Sequence, residues 1–387
     1  MARALCIRMI LSMWIGVGPA CPFAYAQIDR AQCGDPVNLN DPGQSMEKVP
    51  VFDQAATDTC YAHTTASMLT AYLHSHQPPL GDGHAGKVVS PLDSAMQEIV
   101  SHNRSNHGGP NLPKTYSSAA EGKTKTDSGG EVCVVFDAIK RTKFCDYNAV
   151  KALQNRTVHT EDGKAENFLQ LLRELFENMR TSATQSHKFK NSLRQVNELV
   201  LGGSCSSLNG IPLRIRELDS QIQEIVHRQG TDLIERKIEF ISRIFESACY
   251  PRKAINPSIT CENREKELKT TDDKLRVINR VFGRVPAEAL GIGYCSKLLE
   301  PGGGPSYRGL SSKDCGGHYS VLIGRRWNVK AHRGQGACEY LIRNSWGEQC
   351  DSYHDAWSKP EYCGKGNIWV DGSALLENTD ELNYLNP

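Results

Sequence analysis

Four side chains in this sequence have the types needed for nucleophilic acyl transfer: a thiol, an imidazole and two amides. The first stretch is Asp53-Gln54-Ala55-Ala56-Thr57-Asp58-Thr59-Cys60-Tyr61-Ala62-His63-Thr64. The second runs from Gly317-His318-Tyr319-Ser320-Val321 to Tyr340-Leu341-Ile342-Arg343-Asn344-Ser345-Trp346-Gly347. Cys60 would attack as its thiolate, and His318 would serve as general base and then acid. Asn344 can accept the ring N–H of His318 and so fix its tautomer and direction. Gln54, six residues before Cys60, can donate an amide N–H to a developing oxyanion, beside the backbone N–H of Cys60. Trp346 could shield the His318–Asn344 bond from water. His63 lies on a similar helix face to Cys60, three residues on, and reads as a pocket or packing residue rather than the base.

These groups need elements to hold them. The spacing of Ala62, Ala66, Leu69 and Leu73 predicts a helix from Cys60 to about Leu73, capped by Asp58 or Thr59. A thiol at that helix start would gain from the unpaired backbone N–H groups of the first turn. Val132 to Lys140 reads as a short helix opening after Gly129-Gly130. Between 160 and 283 apolar residues recur at helical spacing among Glu, Arg, Lys and Gln, which predicts three to five amphipathic helices. Their last stripe is Leu268, Leu275, Ile278, Val281 and Phe282. Tyr319–Ile323, Cys338–Arg343 and Gly366–Val370 read as strands. A helical half followed by a β-rich half makes an α+β architecture.

The pattern Gln-x5-Cys-Tyr-Ala, then His ahead of an apolar strand, then Asn-Ser-Trp-Gly, resembles the papain-like cysteine peptidases. The resemblance covers about 53–73, 127–147 and 285–375. It implies a two-lobed α+β fold and hydrolysis of peptide bonds through a thioester. It carries the catalytic roles to Cys60, His318, Asn344 and Gln54, and substrate contacts to Gly129, Gly130, Tyr61 and Trp346. The paired glycines would align substrate like an added strand. Neither metal nor cofactor is implied, and the expected partner is a protein or peptide substrate. The sequence also departs from the family. Thr57 and His63 stand where the family usually has Cys and Phe, and Gly317 stands where Asn is common before the histidine. The lead-in of 27–52 is too short for the usual helical pro-region, and the block at 160–283 is extra. It would serve as a lid, a specificity element, a self-inhibitor or a protein-binding surface.

The implied division is a signal peptide at 1–26, a lead-in at 27–52, a helical lobe with Cys60 at 53–159, a helical insertion at 160–283 and a β-rich lobe with His318 and Asn344 at 284–387. Arg3 and Arg8, the apolar run from Met9 to Val17 and Ala24-Tyr25-Ala26 fit an export signal cleaved after Ala26. Pro19 and Pro22 cut that run short of a membrane span. The expected location is therefore secreted or periplasmic, with no membrane attachment after cleavage. A net charge of +1 over 387 residues gives no reason to expect nucleic acid as partner.

Of the 14 cysteines, Cys6 and Cys21 fall in the leader, and the density of the rest suits an oxidising compartment. No Cys-x-x-Cys pair occurs, which argues against structural zinc. If Cys60 stays a thiol, eleven cysteines remain and at least one cannot pair within the chain. Cys350 and Cys363 bracket a polar loop that a bridge between them would staple. Two rival readings keep the same residues: acyl transfer to an amine, and a non-catalytic module that binds protein.

Overall fold

The computed structural model describes residues 28–54, 59–76, 87–105, 131–157, 165–201, 211–229, 233–307 and 315–387. Residues 1–26, read above as an export signal, and Gly129, Gly130 and Cys205 lie outside them. The architecture is α+β, with one antiparallel sheet and two helical surroundings, as the sequence pattern predicts.

The lead-in is more ordered than its turn-rich sequence implies. It forms a four-residue helix α1 (Arg30–Cys33), closed by a reciprocal capping box between Asp29 and Gln32. A two-residue strand β1 (Val37–Asn38) follows and pairs with the centre of the sheet. Helix α2 (Cys60–Ser75) is buried at every residue from Cys60 to Tyr72. A helix covered on all sides needs no single apolar stripe, which is why its sequence carries threonines and serines among the alanines. Thr65 and Thr70 return their hydroxyls to the carbonyls of Tyr61 and Ala66, so burial leaves those groups bonded.

Helices α3 (Pro91–Ser105) and α4 (Val132–Thr142) follow. Next come α5 (Tyr147–Thr157), α6 (Ala165–Arg180), α7 (His187–Leu201), α8 (Ile211–His227) and α9 (Leu233–Ala248). The chain then gives a short strand β2 (Thr260–Asn263) and helix α10 (Thr271–Phe282). The remaining strands are β3 (Leu290–Cys295), β4 (Gly317–Asn328), β5 (Ala337–Arg343), β6 (Cys363–Gly364) and β7 (Asn367–Asp371). Helix α11 (Gly372–Glu377) and strand β8 (Thr379–Asn386) close the fold. The sheet order is β2-β8-β3-β4-β5-β7-β6, with β1 joined to β4, and all pairings are antiparallel.

Two hydrophobic cores result. One lies between α2, α4, α10 and the sheet, with Leu69, Phe136, Ile278, Ile292, Val321 and Ile342 among its members. The other is built from α3 and α5 to α9, around Phe176, Phe189, Phe240 and Phe245. Helix α3 serves both, giving Ala95 to the first and Met96 and Ile99 to the second. The stretch read as a helical insertion to residue 283 therefore divides. Helix α10 packs its Leu275, Ile278 and Val281 into the sheet core, and β2 pairs with β8. An amphipathic stripe announces a helix but not which of two cores it faces.

Five disulfides join Cys33 to Cys338, Cys133 to Cys261, Cys145 to Cys249, Cys295 to Cys315, and Cys350 to Cys363. The last staples the polar loop. Five bridges among the described residues fit an oxidising compartment. No helix among the described residues is long and apolar enough to cross a membrane.

Candidate active site

Sheet register sets out the β side of the site. His318 stands second in β4, opposite Tyr294 of β3, and Asn344 follows the last residue of β5. Adjacent strands thus bring two residues 26 apart in sequence into contact, with His318 Nε2 2.7 Å from Asn344 Oδ1. The backbone N–H of Ser345 also donates to Oδ1, at 2.8 Å, which settles which end of the amide is oxygen. An oxygen only accepts, so the proton between the two residues sits on Nε2, and Nδ1 faces elsewhere with its lone pair.

A relay stands behind this pair. Ser320 Oγ donates to Asn344 Oδ1 at 3.0 Å, and Tyr294 Oη lies 2.8 Å from Ser320 Oγ as its donor. Burial pushes the Tyr294 phenol well above its ordinary value, so that proton stays in place. The Trp346 ring lies 5.2 Å from the His318 ring and stacks on Tyr353 at 5.3 Å. Trp346 thus packs on the imidazole, at the position the sequence reading assigns to shielding and substrate contact. Burial lowers the His318 pKa below 6.5, opposed by the Asn344 bond and the Glu300 carboxylate. With no charge on the sulfur, His318 is held neutral.

Gln54 arrives by a short backbone pairing. Its N–H donates to the Ser345 carbonyl at 2.8 Å, Gly347 N donates to Phe52 O at 3.1 Å, and Asp53 bridges Trp346. Ser345 Oγ donates to Gln54 Oε1. That bond fixes the amide with its NH2 end turned from Ser345, as an oxyanion donor requires. Gln54, Asn344 and Ser345 are all buried.

The helix side begins at Cys60, the first residue of α2, with Thr59 as cap residue, its Oγ1 3.3 Å from His63 Nδ1. Cys60 is buried and in no disulfide. The other ten described cysteines are bridged. Gly291 of β3 lets α2 lie close on the sheet. A Cβ on Gly291 would meet Met68 Sδ at 2.9 Å and Thr64 Cγ2 at 3.0 Å. Two residues along the same strand face, Gly293 has Tyr319, Asp380 and Glu381 as its neighbours. A charge on the Cys60 sulfur would raise the phenol pKa of both Tyr294 and Tyr319, which flank His318 in the sheet.

One substrate-contact reading needs correction. Tyr61 has no exposed surface and belongs to the sheet core, so its side chain is not presented to a substrate. Its helical position, one residue past Cys60, turns it away from the thiol side and toward α3, where its phenol bonds Glu98. Sequence reasoning missed Tyr294, Ser320 and Ser345 as supports. Ser320 and Ser345 stand beside motif residues, but nothing local marks Tyr294, which only the β3–β4 register brings in.

A grouping of Asp93, Cys145 and Cys249 has metal-ligand spacing. Its sulfurs form a disulfide and its carboxylate is held by two bonds from Arg252, at 2.7 and 2.8 Å. It offers no open ligand set.

No family model and no curated protein sequence matches this chain. Among solved structures it is similar to two crystal structures of SERA5E from Plasmodium falciparum. One is 12% identical with a TM-score of 0.41, and covers 93% of this chain and 99% of that one. The other is 10% identical with a TM-score of 0.38, covering 90% and 94%. A likeness of that extent assigns no activity, and the functional reading rests on the site's own residues.

Proposed function

We propose that this protein is an exported papain-like cysteine peptidase that hydrolyses peptide bonds through a thioester acyl-enzyme. The observation that carries the reading is one unbridged cysteine among the described residues, opening the helix packed on the strands of a directed His–Asn pair. Cys60 Sγ, as thiolate, attacks the substrate carbonyl carbon while His318 holds the thiol's proton at Nδ1. The C=O electron pair moves onto oxygen, where Gln54 Nε2 and the Cys60 backbone N–H stabilise it. Collapse breaks the C–N bond, and His318 gives its proton to the departing amine. Water then attacks the thioester carbon, losing a proton to His318, and the C–S bond breaks to return the sulfur.

Burial favours neutral His318, so the ion pair has to draw on the thiolate's own charge and on the helix N-terminus. The disulfides and the leader sequence fit a secreted or periplasmic setting.

Labelling with an epoxide that alkylates activated thiols tests this reading. Wild type should be labelled and Cys60→Ala should not. Absence of labelling in both would favour a protein-binding module instead. Product analysis with an added amine separates hydrolysis from acyl transfer.

A further inference from the structure

We propose that His63 is a positioning residue for the Asn344–His318 pair, acting through one water molecule held in the cavity between helix α2 and strands β4 and β5. The proposal rests on the reading of Asn344 as the group that directs His318.

The cavity measures about 10 Å³, taken as the space open to the centre of a water molecule, and is lined by His63, Thr64, Ser67, Ser320, Asn344 and Ser345 among others. That is about the least space that holds one water, and a water there needs two to four polar partners. The lining supplies them. Arg343 also borders the space, but its guanidinium is committed to the carbonyls of Met46 and Val49 and to Asn40 and Asn367.

Two members of the lining have complementary needs. Asn344 is 2% exposed, its Oδ1 accepts three bonds, and its Nδ2 has no hydrogen-bond partner among the described residues. A buried NH2 left in that condition costs free energy, so it seeks an acceptor. His63 can provide one. Its Nδ1 lies 2.9 Å from the Thr59 carbonyl oxygen, which only accepts, so the ring proton is on Nδ1. Burial lowers its pKa to about 4, so the ring is neutral and Nε2 keeps its lone pair. A water accepting from Asn344 Nδ2 and donating to His63 Nε2 satisfies both groups. It would resist rotation of the amide, which otherwise presents Oδ1 or Nδ2 to His318 with similar shape.

This explains a departure noted in the sequence. The resembling family usually has Phe three residues after the nucleophile, and a phenyl ring accepts no such bond. The rival partner for Nδ2 is Tyr353, whose hydroxyl interacts with this amide and likewise lacks a hydrogen-bond partner among the described residues.

The test has two parts, neither needing peptidase activity. A crystal structure of the full chain at about 1.5 Å should show a water within hydrogen-bond distance of both Asn344 Nδ2 and His63 Nε2. Absence of that water, or a water bridging Asn344 only to Tyr353, overturns the proposal. Imidazole NMR of His318 is then compared in wild type, His63→Phe and His63→Gln. Loosening the Asn344 bond removes a stabiliser of charged His318, so His63→Phe should lower the His318 pKa by about half a unit or more. His63→Gln, which keeps an acceptor, should restore it. An unchanged His318 titration in His63→Phe overturns the proposal, and if that variant fails to fold, the wild-type water and His63→Gln still decide. Failure of Cys60 labelling would reject the peptidase reading while leaving both measurements intact.

Discussion

Replacing Glu98 by Gln should stabilise the protein in a strongly pH-dependent way. Glu98 lies on α3, is 3% exposed, and has no bond to its Oε2 among the described residues. Burial raises its pKa from 4.5 to about 7, against the bond from the Tyr61 phenol and with help from the Glu131 charge. The folded state therefore binds this proton more tightly than the unfolded chain does. Below about pH 4.5 the carboxyl is protonated in both states and costs nothing. As pH rises toward 7 the unfolded chain gains by ionising and the folded one does not, so stability falls. At 1.36 kcal/mol per pH unit the full loss is about 3 kcal/mol, reached above pH 8. Between pH 5 and pH 8 it amounts to about 2.5 kcal/mol. Glutamine keeps the acceptor for Tyr61 and has no charge to desolvate, so Glu98→Gln should escape this loss. At about 2 °C per kcal/mol, the Tm difference between variant and parent should widen by about 5 °C from pH 5 to pH 8. Calorimetry at the two pH values measures it. An equal Tm difference at both would mean that Glu98 ionises freely in the folded state, refuting the placement of its carboxyl.

Three further outcomes follow from the site. Asn344→Ala should lower kcat by about 100-fold while changing thiol labelling far less, because the thiolate survives when the imidazole loses its direction; equal turnover in steady-state assays removes Asn344 from the mechanism. Gln54→Ala should lower kcat by about 100- to 1,000-fold with little change in KM, since the oxyanion exists only during reaction; a KM effect alone would make Gln54 a substrate contact. Gly291→Val should cost about 1–3 kcal/mol in denaturant unfolding and also slow Cys60 labelling, because the new side chain pushes Thr64 and Met68 off the sheet. Labelling at the parental rate would mean that α2 is placed without that contact.

The parts of the site that were legible in the sequence are those set by local chemistry. Cys60 opens a helix because the apolar spacing after it is helical, and His318 and Asn344 flank β runs that read as such. What was not legible depends on pairing. Tyr294 joins the site through the β3–β4 register, Gln54 through its backbone bonds to Ser345, and α10 joins the sheet core rather than the helical one. Tyr61 reads as a pocket residue by its place in a motif. In the fold it lies on the turn facing α3, where a phenol meets a buried carboxyl. Spacing along one element is visible in one chain. Which elements meet is decided by total burial, and two cores sharing α3 give that question two answers.

The helical core itself is tethered at a narrow neck, and this yields the last expectation. Phe144 and Lys253 exchange two backbone bonds of 2.9 Å, and the Cys145–Cys249 bridge follows immediately inside them. The neighbouring Arg252 grips Asp93 of α3 and the carbonyl of Lys143. The chain from 146 to 248 thus leaves and returns at one point, and its core includes no residue of α2 or the sheet. Because Cys133–Cys261 already closes the enclosing loop, the Cys145–Cys249 bridge closes only the two 12-residue stretches between them, which in the chain model is about 3.5 kcal/mol of unfolded-state entropy. That bridge is built into the helical core, which includes Cys145 and Cys249, whereas Cys33, Cys338, Cys261, Cys350 and Cys363 belong to the sheet core or pack on it. Cys145→Ser combined with Cys249→Ser should therefore open 146–248 to limited proteolysis while leaving Cys60 labelling near the parental rate. Simultaneous loss of labelling and protection would mean that the two cores unfold as one, with α3 as the element that couples them.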